Sequence, residues 1–374
     1  MNRDQGELGD WQLEIEQIPS LSPEDLSRLN RPTVDNFQHF AAFSSPATEL
    51  SYLRITRQGS WVGMVPVVRL SKRKSTDLLT PRLRWWLGML LGPLARKTSY
   101  LLDTAFLAYE HASPFAIASE YAPRRAEVVA AVVRHLKAQR GIESIWISEP
   151  TGVSPLDAEK NFDAFPMIPL VHIRIAGCGS LNRFLETTTK KRRRNWRQQR
   201  MDYDRAGAVT ELLTSPFNGQ MLASMQECLR ASAARSAFFV PYNDVLTDPQ
   251  AFATQSQVAL ISRVGDRVIG FMTFITSGQG MLQTHGGFDY DLSLKSKAYH
   301  NLTYDAVAYA IQQGLDWVSL GPLNNETKRR LGTHLLPMTA YLWNRYPLDR
   351  WVARQWFIKN FQTYWAGDTS DHPV

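Results

Sequence analysis

One local pattern occurs twice in this chain of 374 residues, and it limits the available folds more than any other feature. Residues 55–68, ITRQGSWVGMVPVV, read as strand, tight turn at Gln58-Gly59 and strand. Residues 261–275, ISRVGDRVIGFMTFI, repeat the pattern, with Arg263, Gly265 and Gly270 in the places of Arg57, Gly59 and Gly63. Downstream of each hairpin an amphipathic helix ends at glycine and leads into an apolar strand stopped by proline. In the first copy these are residues 126–139, Gly141 and IESIWISEP to Pro150; in the second, residues 302–313, Gly314 and LDWVSLGP to Pro322. The competing reading is chance likeness between two common hairpins, and agreement in both order and kind of element argues against it. The expected fold class is therefore mixed α/β (α+β) in two similar halves, each a mostly antiparallel sheet with flanking helices.

The spacing inside the copies differs. Gly63 to Gly141 spans 78 residues and Gly270 to Gly314 only 44, so the first copy is expected to hold an insertion, placed at residues 71–104. The loop-like TGVSPLDAEKNFDAFP before Leu170 puts the domain boundary near residue 166, giving domains 1–166 and 167–374. A chain this long favours two domains in any case.

Within the apolar insertion, residues 85–94 (WWLGMLLGPL) form a ten-residue run broken by Gly88, Gly92 and Pro93. It is too short to span a bilayer. Flanked by Arg82, Arg84, Arg96 and Lys97, it suits either peripheral contact with a membrane interface or, more ordinarily, a buried or cleft-covering segment. The two cysteines, Cys178 and Cys228, exclude a disulfide framework and a cysteine zinc site, and with the leaderless start MNRDQGELGDW they point to a reducing, cytoplasmic setting.

Charge is concentrated in one place. The chain carries a net +7, while residues 188–206 alone hold eight Lys or Arg against Asp202 and Asp204, a local +6. The segment KKRRRNWRQQR, residues 190–200, is bounded downstream by Gly207, a suitable residue for the end of a helix. Its arginines point all round a helix of 3.6 residues per turn, leaving a dry stripe only near Trp196 and Tyr203. Solvated charge is the ordinary explanation of such a run. Guanidinium also suits bidentate phosphate recognition, so Lys190, Lys191, Arg193, Arg194, Trp196, Arg197 and Arg200 are candidates for holding a polyanion such as RNA or a coenzyme.

These residues, in their order, carry a family resemblance. A basic helix after LNRFLETTTKKRRRNWRQQR, the second hairpin, and HGGFDYDLSLKSKAYHNLTYDAVAYAIQQGLDWVSLGPLNNETKRRLG over residues 285–332 resemble the GNAT-fold acyltransferases of the Fem and BioF2-like group, aminoacyl-tRNA-dependent transferases included. The resemblance is strongest over residues 181–332 and weaker in the first half. It implies tandem GNAT-like domains, with the second carrying the reaction. It also implies a function: transfer of an aminoacyl group from tRNA to an amine, forming an amide. One departure bears on the donor. Acetyl-CoA enzymes of this fold place a glycine-patterned loop between the fourth strand and the next helix to hold pyrophosphate on backbone N–H groups. Here that stretch reads SLKSKAYHNLTYDAV, without the glycines. Aminoacyl-tRNA is therefore the expected co-substrate, with no permanently bound cofactor. An acyl-CoA-dependent N-acyltransferase is the alternative, and a non-catalytic RNA-binding protein the second.

Acyl transfer to an amine needs a hydrogen-bond donor for the developing oxyanion and a route for the proton. Residues 281–285 followed by Gly286 and Gly287 are the candidate strand, because adjacent glycines let a substrate approach the backbone. Candidate bases cluster just after it: Asp289 first, with His285 and Asp291. Tyr290 is a candidate for positioning substrate, and so is Tyr304, although packing explains Tyr304 as well. Asn301 reads as the cap of a helix whose N-terminus is able to receive an anionic group. The resemblance gives Lys328 a contact with the donor and puts Arg329 among the phosphate contacts. No motif for a metal, a nucleotide loop or a serine nucleophile is present.

Overall fold

The computed structural model describes residues 11–16, 28, 49–71, 98–102, 115–139, 142–152, 155–158, 162–235, 258–277, 280–320, 328, 334–347, 350, 351 and 354. The chain divides into two compact units, one of Met1–Pro169 with Pro337–Val374, the other of Leu170–Leu336.

In the first unit, β1 (Trp11–Glu16), β2 (Glu49–Arg57), β3 (Ser60–Ser71) and β4 (Thr98–Leu102) pair antiparallel in sequence order, and β5 (Ala116–Ile117) pairs with β3 at Gly63. Helix α1 (Arg125–Ala138) then leads to β6 (Ile142–Pro150), which runs parallel to β4, a connection that requires such a crossover. Val128, Val129, Val132, Val133 and Leu136 form the buried stripe of α1. Valine is a weak helix former, so packing rather than propensity holds this helix, at roughly 1.5–3 kcal/mol for each fully buried side chain.

The second unit begins within β7 (Asp163–Arg174) and continues through α2 (Leu181–Thr187), α3 (Lys190–Arg205), β8 (Ala208–Thr214) and α4 (Gly219–Arg235). It then runs through β9 (Val258–Val264), β10 (Arg267–Ser277), β11 (Gly280–Phe288), α5 (Tyr290–Ser296), α6 (Ala298–Gln312) and β12 (Trp317–Ser319). Strands β8 to β11 pair antiparallel, β11 runs parallel to β12, and β12 pairs antiparallel with β7. Alternation along β10 gives the sheet two apolar faces. Met272 and Phe274 join the core that holds Phe184, Tyr203, Leu302 and Val307 of α2, α3 and α6, while Phe271 joins Met221, Met225 and Cys228 of α4.

Both units thus have three antiparallel pairings followed by a parallel one, and the duplication extends to a shared irregularity. Ile55 pairs with Gly63 and Thr56 with Trp61, which leaves Val62 as an extra residue; Ser262 pairs with Gly270 and Arg263 with Val268, which leaves Ile269. The bulge precedes Gly63 in one hairpin and Gly270 in the other, at positions where a Cβ would run into the Ala116 carbonyl or the Phe288 ring. The equivalents of Arg57 and Gly59 are accordingly Val264 and Asp266, one residue beyond the expected Arg263 and Gly265.

Two further expectations are corrected. Residues 98–102 of the expected insertion form β4, the counterpart of β11, so the stretch 71–104 is not wholly an insertion; the apolar run 85–94 lies outside the described residues. The second domain does not extend to residue 374, because in β13 (His334–Asn344) residues 338–344 pair antiparallel with β6 in the first unit. Each unit takes the strand beside its parallel arm from the other half of the sequence, β13 beside β6 and β7 beside β12. No helix among the described residues is long and apolar enough to cross a membrane.

Candidate functional site

In the second unit the two parallel strands form a fork. β11 and β12 pair at only three rungs, Gly280 with Trp317, Met281 with Val318 and Leu282 with Ser319. β12 ends there, and Leu320, the next residue, stays paired with β7 through its N–H on the Val171 carbonyl. β11 continues alone on that side among the described residues. At the same level it bulges: Phe274 pairs with Gln283 and Thr273 with His285, so Thr284 is the extra residue and its hydroxyl lies 2.8 Å from that of Thr273. A bulge at a fork re-aims backbone N–H groups out of the ladder, which is what an oxyanion donor requires.

Lys328 is held at the end of the other arm. Its Nζ donates to the carbonyl oxygen of Leu320, the residue directly after the last β12 rung, and the side chain is buried at 5% exposure. Burial pushes its ammonium down to about 7, because the charged form loses its hydration. An amine that gains and loses a proton near neutral pH, held at the residue just past the last rung of β12, is suited to proton transfer.

The expected bases are placed differently from one another. His285 is buried on β11, with Nδ1 3.4 Å from the Thr273 hydroxyl. Asp289 caps α5: its carboxylate accepts from the N–H groups of Asp291 at 3.1 Å and Leu292 at 3.4 Å, and it pairs with Arg267. Asp291 lies exposed in the first turn of α5. Of the two glycines, Gly287 is required by packing, since a Cβ there would meet the backbone of Cys228 and Leu229 in α4. Gly286 faces the Gln283 amide instead.

The segment after β11 is helical throughout. Asp289 seals the N-terminus of α5, and Lys297, in the left-handed region at φ 60°, links α5 directly to α6. Helix α6 therefore starts at Ala298, and Asn301 is not its cap. Fully buried, Asn301 donates to the carbonyls of Gln199 and Lys297, both at 3.1 Å, and accepts from Arg200, tying α6 to α3. Tyr290, half-buried, begins α5 and packs against the core. Tyr304 is buried against Trp196, edge to face at 6.0 Å, and burial pushes its phenol up to about 12.

Helix α3 sorts its cations into two groups. Thr189 caps it and Gly207, at φ 65°, follows its end, as the sequence suggested. Arg193 donates to the carbonyls of Leu185, Glu186 and Thr188 at the end of α2. Arg200 binds Asp305 of α6 at 3.2 Å. Asp305 also accepts from Thr210, whose hydroxyl meets that of Tyr203 at 3.0 Å, and Tyr203 reaches Ser262 at 2.8 Å. With Trp196 packed on Tyr304, this network fixes α3 to the sheet. Lys190, Lys191, Arg194 and Arg197 are left exposed on the outer side. Of the two remaining cations of α3, Arg192 is half-buried and Arg205 pairs with Asp202; Arg329, further along the chain, lies outside the described residues. Sequence reasoning missed Arg267 and Asp305, whose partners are distant in the chain, and Gln283, whose place is set by the register of β11. Among the described residues no three His, Cys, Asp or Glu gather as metal ligands.

Residues 190–329 match the family model for an acetyltransferase (GNAT) domain. A sequence comparison with curated proteins finds no match. Among solved structures, the chain is similar to the C-terminal domain (DUF2156) of a protein assigned as a lysylphosphatidylglycerol synthetase from Agrobacterium fabrum, with TM-score 0.53, 12% identity and 89% of this chain covering 94% of that one. It is similar to FemX, with TM-score 0.53, 10% identity and coverage of 82% and 90%. A tandem GNAT protein from the clavulanic acid biosynthesis pathway gives TM-score 0.50, 11% identity and coverage of 90% and 99%. At these identities the likeness shows the fold, a tandem GNAT architecture.

Proposed function

We propose that this chain, a GNAT-fold acyltransferase by its residues 190–329, takes its acyl group from aminoacyl-tRNA and transfers it to an amine, forming an amide bond. The observation that carries this reading is the carboxylate of Asp289 on the first helix N-terminus after β11. That is the end at which a coenzyme pyrophosphate would have to bind, and a capping carboxylate both occupies the N–H groups and repels the anion. The exposed cations of α3, Lys190, Lys191, Arg194 and Arg197, lie instead on its outer side, where a nucleic-acid backbone finds several phosphate contacts at once.

The chemistry follows from the fork. The ester carbonyl lies against the β11 backbone at the Thr284 bulge, whose N–H groups receive the developing oxyanion. The acceptor nitrogen attacks the carbonyl carbon; a C–N bond forms and the C–O bond to the tRNA ribose breaks. The proton lost by the amine passes to the neutral Lys328 amine and returns to the departing ribose oxygen. His285 is the second candidate for that step. Asp289 acts as the cap of α5 and partner of Arg267 rather than as the base.

Retention experiments test the donor. Purified chain mixed with total charged tRNA at low salt should retain tRNA, and mass spectrometry of material that copurifies with it should identify RNA. Copurified coenzyme A with no tRNA retention would replace this reading with the acyl-CoA alternative. Retained RNA with no transfer to any amine would leave the RNA-binding reading.

A further inference from the structure

We infer that the Gln283 carboxamide receives the α-amino group of the donor's aminoacyl ester and so selects aminoacyl over plain acyl donors; this rests on the donor proposed above. Gln283 is the first residue of β11 past the last rung shared with β12, Leu282 with Ser319. It pairs with Phe274 and so shares that residue's face of the sheet, the side on which α6 packs. Its amide is folded back along its own strand. Nε2 donates to the His285 carbonyl at 3.4 Å, and since a carbonyl only accepts, the amide orientation is set. Gly286 makes room for this fold, because a Cβ there would come within 2.7 Å of Nε2.

The consequence falls on the other amide atom. Gln283 Oε1 is closed off from solvent and has no hydrogen-bond partner among the described residues. A buried acceptor of this kind takes an N–H or O–H donor, and here the ligand would bring it. Register supplies the match. Strand residues rise about 3.3 Å each, so a carbonyl held at the Thr284 bulge sets its α-substituent one position along, level with Gln283. On the β12 arm that level belongs to Leu320, whose carbonyl accepts from Lys328. An α-amino group therefore meets a neutral oxygen on the β11 arm, while the ester carbon stays open to the acceptor amine. An acyl group without the amino function leaves Oε1 unpaired, and sites built around a buried polar contact reject such analogues strongly.

A chemical double-mutant cycle tests the contact. Single-turnover rates are measured for two donors, a tRNA charged with an amino acid that the enzyme uses and the same tRNA carrying the desamino acyl analogue. The native chain should transfer the desamino group at least about 10-fold more slowly. Gln283→Met should slow the aminoacyl donor by a similar factor, leave the desamino donor unchanged, and so erase the difference. Gln283→Glu, which keeps an acceptor oxygen, should keep the discrimination and shows that the site tolerates substitution. Equal slowing of both donors by Gln283→Met, or no effect on either, overturns the contact. Turnover of the native chain with acyl-CoA alone overturns the donor reading itself, and the contact with it.

Discussion

Lys328 donates to the carbonyl oxygen of Leu320, so the lysine is anchored to the backbone at the point where the two parallel strands part. A ladder partner would ordinarily satisfy a carbonyl at that level. The pairing of β12 with β11 has ended there, and a buried amine donates to the carbonyl of the residue just past it.

This arrangement predicts a pH profile. Because burial holds the Lys328 ammonium down to about 7, the fraction carrying a free lone pair rises as pH rises through that value, and the rate of transfer should rise with it. Lys328→Met should lower kcat by roughly 10²-fold or more and remove that limb of the profile. A retained limb in the variant assigns the titration to another group, His285 first.

Stability should move with pH as well. An unfolded lysine binds its proton below about 10.4 and the folded Lys328 only below about 7, so folding stability falls as pH drops through that window. The slope is at most about 1.4 kcal/mol per pH unit for one group. Chemical denaturation of Lys328→Met between pH 7.5 and 9.5 should show a flatter dependence than the native chain. An unchanged slope contradicts the depressed titration.

Asp289 gives a prediction that separates capping from catalysis. Asp289→Ala removes the acceptor for the Asp291 and Leu292 N–H groups and should lower stability by about 0.5–2 kcal/mol, while Asp289→Asn keeps a good cap and should restore most of it. Transfer rates of a folded Asp289→Asn variant should stay within about 3-fold of native. A drop in rate of about 10² with stability intact would make Asp289 the general base after all.

The two groups of cations on α3 should likewise part company. Replacing Lys190, Arg194 and Arg197 by Gln should leave Tm unchanged and flatten the salt dependence of tRNA binding, by a log-log slope of roughly 0.7–0.9 for each phosphate that is no longer neutralised. Arg193→Gln and Arg200→Gln should instead lower Tm by a few degrees, since these side chains hold the end of α2 and Asp305. Trp196→Ala should behave as a packing change for the same reason, through its contact with Tyr304. A uniform effect of all of them on binding alone contradicts the division.

Much of this architecture is local in origin and was therefore legible in the sequence. Hairpin turns, helices ending at Gly207 and Gly314, and the repeat around Gly63 and Gly270 depend on residues close together in the chain. What escaped depends on partners far apart. Arg193, Arg194 and Arg197 look alike in the run, yet only Arg193 meets the carbonyls of α2. Asn301 has the composition of a cap, but Lys297 adopts a left-handed conformation and starts the helix earlier. The strand that completes the first unit comes from residues after 337, and no local pattern records which strand β13 will join. Gln283 is an unremarked glutamine until the register sets it at the fork.

The donor is tested most directly by competition within one reaction. Purified chain is given charged tRNA with a labelled aminoacyl group, a differently labelled acyl-CoA and a panel of amines, and the amide products are resolved by mass spectrometry. The account predicts amide carrying the aminoacyl label, formed only with intact charged tRNA and suppressed by the triple Lys190, Arg194 and Arg197 replacement. Amide carrying only the label from acyl-CoA, at a rate indifferent to that replacement, would contradict it.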